Sequence, residues 1–407
     1  MTSIAGTADA AVDADRDEAS RIGEYLAAHG GPFFELQRRL GMLREDALLA
    51  GRRATLFVAL AWGVPLILSL IAGRAFGYDL DRPYLLDFGA WARFFIAVAL
   101  FVLAEEQVEY GLDGKLGQFV RAPLLAPASF EAAAHAVLKG LRMRDSRLAE
   151  IICVCLAAAG ALAWLNALVN LDGSNWAAEV VDGGAHLTLA GWWSVLVSAP
   201  LFYFLLFRGL WRYVVWAILL WRVAALELRL VATHPDGKGG LAFLAEYPNA
   251  YTMFVFGMSS GMAITVVRHV FEANITSVTF GYIIATWLAI VFAFFTFPLI
   301  AFSKPLSDLK QKSAQVLGAE ATRYFRAAER ALLGRNLAAN DPAEAAQPAA
   351  SDPSAQFAAS RKLSIFLMSR SAIAPLAGAA LIPFAIAGAT KLPYKEVFSL
   401  VKKLIIL

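Results

Sequence analysis

One long apolar run ends in "LFVLAEEQVEYGLD", which carries Glu105, Glu106 and Glu109. Glu105 and Glu109 stand one helical turn apart and share a face. Carboxylates at a helix C-terminus oppose the helix dipole and repel one another. They therefore call for a proton, a cation or a guanidinium partner, and at membrane depth such groups are functional candidates by default. A second set, Arg208, Arg212, Arg222 and Arg229, falls within an arc of about 100° on one helical face. Its irregular spacing is not the every-third-residue pattern of a voltage sensor. The arginines suit snorkelling to headgroups, with Trp211, Trp216 and Trp221 as interface anchors. They equally suit a basic lining for an anionic solute or a lipid headgroup. Pairing of these glutamates with Arg222 or Arg229 would satisfy both sets, as a structural ion pair or as a transport gate.

The third feature is "VATHPDGKGGLAFL", residues 231–244. Pro235 fixes φ, lacks an N–H and biases the preceding residues away from helix. Gly237, Gly239 and Gly240 permit positive φ, and Asp236 or Thr233 can bond local amides. A helix stop and turn follows. The sharper reading makes His234 and Asp236 a proton-handling or metal-liganding pair beside a nest of glycine amides. A His-Pro-Asp tripeptide also occurs in J-domains, but the preceding "WRVAALELRLVAT" is too apolar for their basic helix.

Other polar positions are weaker. Asn166, Asn170, Arg268, His269 and Glu272 could line a mouth on one side or simply end helices. Gly257 and Gly261, four apart, offer a small-residue face for close helix packing. Cys153 and Cys155 lie inside one apolar run, so they read as packing residues with no disulfide or zinc spacing. There is no nucleophile elbow, P-loop, HExxH or CxxC motif, no cofactor is implied, and the residues name no catalytic group.

The elements that position these residues follow from composition. Of 407 residues, 59% are hydrophobic and only 17% charged, against about 25% charged in a soluble domain. Several runs approach the roughly 20 apolar residues that span a bilayer. The expected fold class is all-α: a polytopic helical membrane bundle of about seven transmembrane helices, with amphipathic and cytoplasmic helices. A net charge of +3 argues against a nucleic-acid partner. The lipid bilayer is the expected partner, and a homo-oligomer is compatible with the sequence.

Residues 1–53 read as a cytoplasmic tail without a signal peptide, followed by an interfacial helix whose arginines, Arg52 and Arg53 among them, face headgroups. Residues 54–302 form the membrane bundle. Within it, the basic segment 111–148 forms a cytoplasmic hairpin, and 190–232 is expected as one extended helix rather than two spans. Residues 303–336 read as a cytoplasmic helix and 337–362 as a disordered linker. Residues 363–407 hold a weak span with two prolines and an amphipathic tail. The Lys/Arg distribution places the N-terminus in the cytoplasm.

Four stretches, "LQRRLGMLR…GRRATLFVALAWGVPLILSL", "DFGAWARFFIAVALFVLAEE", "LWRVAALELRLVATHPDGKGGLAFL" and the Leu/Lys-rich end, resemble a group of bacterial, largely proteobacterial, multi-pass membrane proteins. Its best marker is THPD-x-x-GGL. The resemblance covers most of the membrane part and implies an inner-membrane location and a shared architecture. The group has no assigned activity, so no function comes with it. From the residues, the leading expectation is passage or sensing of a small ion or solute. The rival is a non-transporting envelope assembly protein, and a membrane enzyme acting on lipid comes third.

Overall fold

The computed structural model describes residue 22, residues 25–43, 48–76, 82–170, 174–181, 184–272, 276–339, 351–368 and 370–390, and residue 404. Among them, seven helices are long and apolar enough to cross a membrane: Ala50–Ile71, Phe88–Arg121, Arg147–Val169, Leu189–Ala224, Ala242–Val267, Val278–Leu333 and Ser371–Ala389. The protein is an all-α polytopic bundle. A two-stranded hairpin, Ala178–Val181 with Gly184–Leu187, is an addition between the third and fourth spans.

The fourth span lies at the centre, packed against the third span, the second span and the amphipathic helix Phe130–Arg144. Its inner face buries Phe202, Leu205, Tyr213, Trp216 and Leu219. The fifth span packs on the second through its small-residue face. A Cβ added at Gly257 would stand 2.9 Å from the Phe101 ring, and one at Gly261 3.2 Å from Phe202. The seventh span packs on the fifth and sixth and buries Leu376, Ala380, Leu381 and Phe384. Its prolines, Pro375 and Pro383, stay within the helix.

Three spans contain π-helical segments, at Ala59–Gly63, Trp91–Ala97 and Ser194–Ser198, and the first touches the other two. A widened turn loosens the regular carbonyl pairing, and neighbouring side chains supply donors. Trp193 Nε1 donates to the Leu60 carbonyl at 2.9 Å and Tyr84 Oη to the Trp62 carbonyl at 2.8 Å.

Several expectations need correction. The helix expected over 190–232 ends at Ala224. Beyond it the chain runs extended beside residues 124–126, where Arg229 N donates to the Leu124 carbonyl at 2.7 Å and Ala126 N to the Glu227 carbonyl at 3.3 Å. This strand-like pairing competes successfully with further helical turns and takes Arg229 off the arginine face. The interfacial helix shrinks to Pro32–Arg39. Arg53 does not face headgroups, because the first span begins at Ala50 and points Arg53 into the bundle with 2% exposure.

Part of the expected linker is helix Ser354–Lys362, which packs on Ser303–Leu333. Residues 340–350 of that linker, the tail over 1–21 and most of the C-terminal amphipathic segment lie outside the described residues, as do the side chains of Arg268, His269 and Glu272.

Candidate functional site

The charged centre lies where four spans share a level. From Arg53 to Ile71, Glu105 back to Phe88, Glu150 to Val169 and Arg208 back to Leu189, each helix runs 18–20 residues, a rise of about 25–29 Å. Those stretches contain one further charge, Arg93, whose guanidinium stacks over Trp164 at 4.4 Å. The centre therefore closes one end of a slab about as thick as a bilayer's hydrocarbon core.

Glu105 is its hub. One carboxylate oxygen accepts from Arg53 Nη1 at 2.7 Å, and the other pairs with Arg208. Arg53 Nη1 also donates to Gln37 Oε1 at 2.7 Å. Arg208 Nε faces Glu150 at 3.5 Å, and its guanidinium lies 5.1 Å from the centre of the Phe33 ring. Arg53, Gln37, Arg208, Arg212 and Glu150 are all buried. Carboxylates and guanidiniums shield each other here, which is how charge survives in an apolar setting.

The remaining charged groups hold a segment that is neither helix nor strand. Residues 25–31 enter the bundle between the second, third and fourth spans ahead of helix Pro32–Arg39. Irregular backbone at such a place requires partners within the protein. Arg212 donates to the carbonyls of Ala27 at 3.1 Å and Gly30 at 3.0 Å, and Arg144 donates to that of Leu26. Glu109 accepts from Ala28 N, and its other oxygen lies 3.1 Å from His29 Nδ1. Glu150 accepts from Phe33 N at 2.7 Å, at a helix N-terminus where a carboxylate is favoured.

Gly30 and Gly31 take φ of +87° and +91°. A Cβ at Gly30 would sit 2.2 Å from Asp145, and one at Gly31 2.7 Å from Glu150. This segment is a plug, gripped through its backbone by charged side chains.

Two spaces flank it. Beside Glu105 and Arg212 is a cavity of about 30 Å³, walled by Phe101, Leu205, Tyr251 and Phe254, with room for about one water. On the far side of the plug, an open cleft of about 690 Å³ is lined by Gly30, Gly31, Arg38, Arg39, Asp145 and Arg147.

The structure thus brings Glu105, Glu109, Arg208 and Arg212 together and leaves the other candidates apart. Glu106 is exposed. Neither Glu105 nor Glu109 meets Arg222 or Arg229 as expected: Glu105 pairs with Arg53 and Arg208, and Glu109 with His29. Arg222 instead borders an apolar groove of about 890 Å³ between the fourth and sixth spans.

His234 and Asp236 form a separate turn. The Asp236 carboxylate accepts from the amides of Lys238 at 2.8 Å, Gly240 at 3.1 Å and Ala242 at 3.1 Å, and touches His234 Nδ1 at 2.8 Å. Burial alone pushes its pKa up, but these amides and His234 outweigh that and hold it below the usual range. Gly239 and Gly240 have positive φ, and a Cβ at Gly240 would sit 2.8 Å from Leu124. The turn is locked to residues 124 and 306 and lies apart from the charged centre.

Arg53, Gln37, Glu150, His29 and Arg144 were not anticipated at the site. Signals for some of them exist in hindsight. Glu150 is an acid in the first turn of a span, and Gly30–Gly31 is an adjacent glycine pair before a proline. Among the described residues no cluster of His, Cys, Asp and Glu could hold a metal ion.

Fold and site together define an integral, polytopic helical membrane protein with a charged, plugged centre. Comparison with protein-family models, curated proteins and solved structures returns no match.

Proposed function

We propose that this protein passes or senses a small ion, and that the structure is its closed form. The carrying observation is the inner face of the fourth span. Along it, Ser194 and Ser198 are followed by Phe202 and Leu205, then by Arg208 and Arg212, all buried. Two polar zones are thus separated by an apolar seal. In the seal Phe101 lies 5.7 Å from Phe202 and 5.1 Å from Phe254 between ring centroids. The plug then covers the charged zone.

A purely mechanical core gains little from this arrangement, since buried ion pairs are often replaceable by apolar packing without loss. The reading includes a bacterial plasma membrane, with the plug end in the cytoplasm beside the basic loops, and kinship to the THPD-x-x-GGL group. The lipid-enzyme alternative loses support from the Asp236 carboxylate, whose oxygens already serve the local amides.

The assembly reading draws on a different observation. Helix Ser303–Leu333 buries only Leu306, while Val316, Phe325 and Leu332 are exposed. Proteoliposomes loaded with halide or alkali-metal salts separate the two. Passage requires ion flux that increases in Phe202→Ala, which opens the seal, or in Gly31→Ala, which strains the plug. Folded wild type and both variants without flux of any ion, and without an ion-dependent change in plug accessibility, would favour assembly.

A further inference from the structure

In the inner group, guanidinium donors outnumber the carboxylates that face them. Three guanidiniums, Arg53, Arg208 and Arg212, share two carboxylates, Glu105 and Glu150. Glu109 serves His29 and Ala28 N, and Asp145 serves Arg144. Arg212 gives its hydrogen bonds to neutral carbonyls.

The hydrogen-bond inventory at one corner has the same bias. Arg53 Nε, Arg53 Nη2 and Gln37 Nε2 are buried donors without an acceptor among the described residues. Both side chains are 2% exposed. Turning the Gln37 carboxamide over cannot help, because its oxygen already meets Arg53 Nη1 and a guanidinium only donates. Buried donors carry their full desolvation cost unless an acceptor meets them.

We infer that the corner between Arg53 and Gln37, with Arg208 on the far side of Glu105, binds a small monovalent anion of the halide or nitrate class. Three orphaned donors, two of them on a guanidinium, call for one small anionic acceptor. Full burial excludes a bulky oxyanion, and the polar atoms left without a partner in this corner are all donors, which suit an anion and not a cation. The cleft on the solvent face of helix Pro32–Arg39 carries Arg38, Arg39 and Arg147 beside Glu35 and Asp145, a mixed surface with one net positive charge. The inference rests on the passage reading for its functional meaning, since it makes the passed or sensed ion an anion. The binding itself is measured independently of flux.

The test uses the full chain in detergent micelles, with chloride exchanged for gluconate at constant ionic strength. Binding is read by chlorine NMR line broadening, and thermal midpoint is recorded alongside. Wild type is expected to show saturable broadening and a midpoint that rises with chloride. Gln37→Leu removes one donor to a charged group and is expected to weaken binding by about ten-fold or more. Gln37→Glu places a carboxylate in the corner. It should raise the midpoint in gluconate and abolish the chloride dependence of both readouts. Arg52→Gln, at an exposed neighbour, should leave them unchanged.

No difference between chloride and gluconate in wild type overturns the inference, as does a Gln37→Glu protein that keeps the chloride dependence. Chloride binding in a protein that neither passes ions nor changes plug accessibility keeps the site and removes the passage reading. Cation flux without chloride binding removes the site alone.

Discussion

Gly31→Ala tests whether residues 25–31 are a plug held in one conformation. Gly31 has φ 91° and ψ 160°, a region essentially restricted to glycine, where another residue costs about 1–3 kcal/mol. The new Cβ would also meet Glu150 Oε1 at 2.7 Å, the carboxylate whose other oxygen holds Phe33 N. Both penalties exist only while the segment is seated, so the substitution favours release. At about 1.4 kcal/mol per factor of ten, 1–3 kcal/mol corresponds to an opening equilibrium raised roughly 5- to 150-fold. Ala28, 2% exposed when seated, is the reporter position. With Cys153 and Cys155 replaced and Ala28→Cys introduced, modification by a membrane-impermeant maleimide follows the open population when opening is fast relative to labelling. The rate should rise by that factor in Gly31→Ala and stay constant in Gly51→Ala, whose Cβ meets nothing within 4 Å. A change of less than two-fold in Gly31→Ala would refute the seated plug.

Three further outcomes follow from the same geometry. Glu105→Gln leaves Arg53 and Arg208 without their shared carboxylate and should destabilise the protein by about 3–5 kcal/mol in micelle denaturation. Combined with Arg208→Gln, the loss should fall short of the sum of the single losses, and strict additivity would deny the coupling. Gly209→Ala would place a Cβ 2.2 Å from the Phe254 ring, overpacking the seal at a cost of about 1–3 kcal/mol and altering flux in the liposome assay. Asp236 has a folded pKa below its unfolded value of about 3.9. Its contribution is therefore complete above the unfolded value and disappears as pH falls through the folded one. Protection factors of the Gly240 and Ala242 amides, taken against the intrinsic exchange rate at each pH, should fall on acidification across that window, and an unchanged protection pattern would count against the carboxylate clasp.

The spans were legible because lipid imposes a long apolar run, which one sequence displays without any partner. Gly257 and Gly261 were legible for a similar reason, since a pair of absent side chains is itself the packing feature. The need of Glu105 for compensation by an arginine of the long helix could also be derived, but the choice of partner could not. It depends on how far each helix is rotated and where it starts relative to its neighbours. A start at Ala50 turns Arg53 from a headgroup anchor into the second ligand of Glu105. Glu109 was assigned to Arg222 on charge alone, whereas the structure gives it His29, 80 positions away. Segment 25–31 has no periodicity at all, so its insertion was invisible. The stop of the fourth helix at Ala224 was hidden because Leu226, Leu228 and Leu230 continue an apolar pattern that serves a different neighbour.

Two levels of the bundle solve the same backbone problem with different chemistry, and that difference sets which contacts water could replace. Midway along the first span, the carbonyls of Leu60 and Trp62 in its π-helical segment receive an indole N–H from Trp193 and a phenol from Tyr84, within a cluster of Trp62, Trp91, Tyr84 and Trp176 rings. Separating such neutral donors and carbonyls inside apolar surroundings leaves both unmet, at about 1–3 kcal/mol each. At the other level, the plug backbone is held by Arg144, Arg212, Glu109 and Glu150, next to an open cleft. When residues 25–31 withdraw, water from that cleft can take over both sides of each contact, because charged groups hydrate strongly. Opening there exchanges one set of hydrogen bonds for another, whereas opening at the aromatic cluster only destroys them. The charged residues at the plug thus do what an apolar seal could not: they hold irregular backbone when it is seated and tolerate its departure.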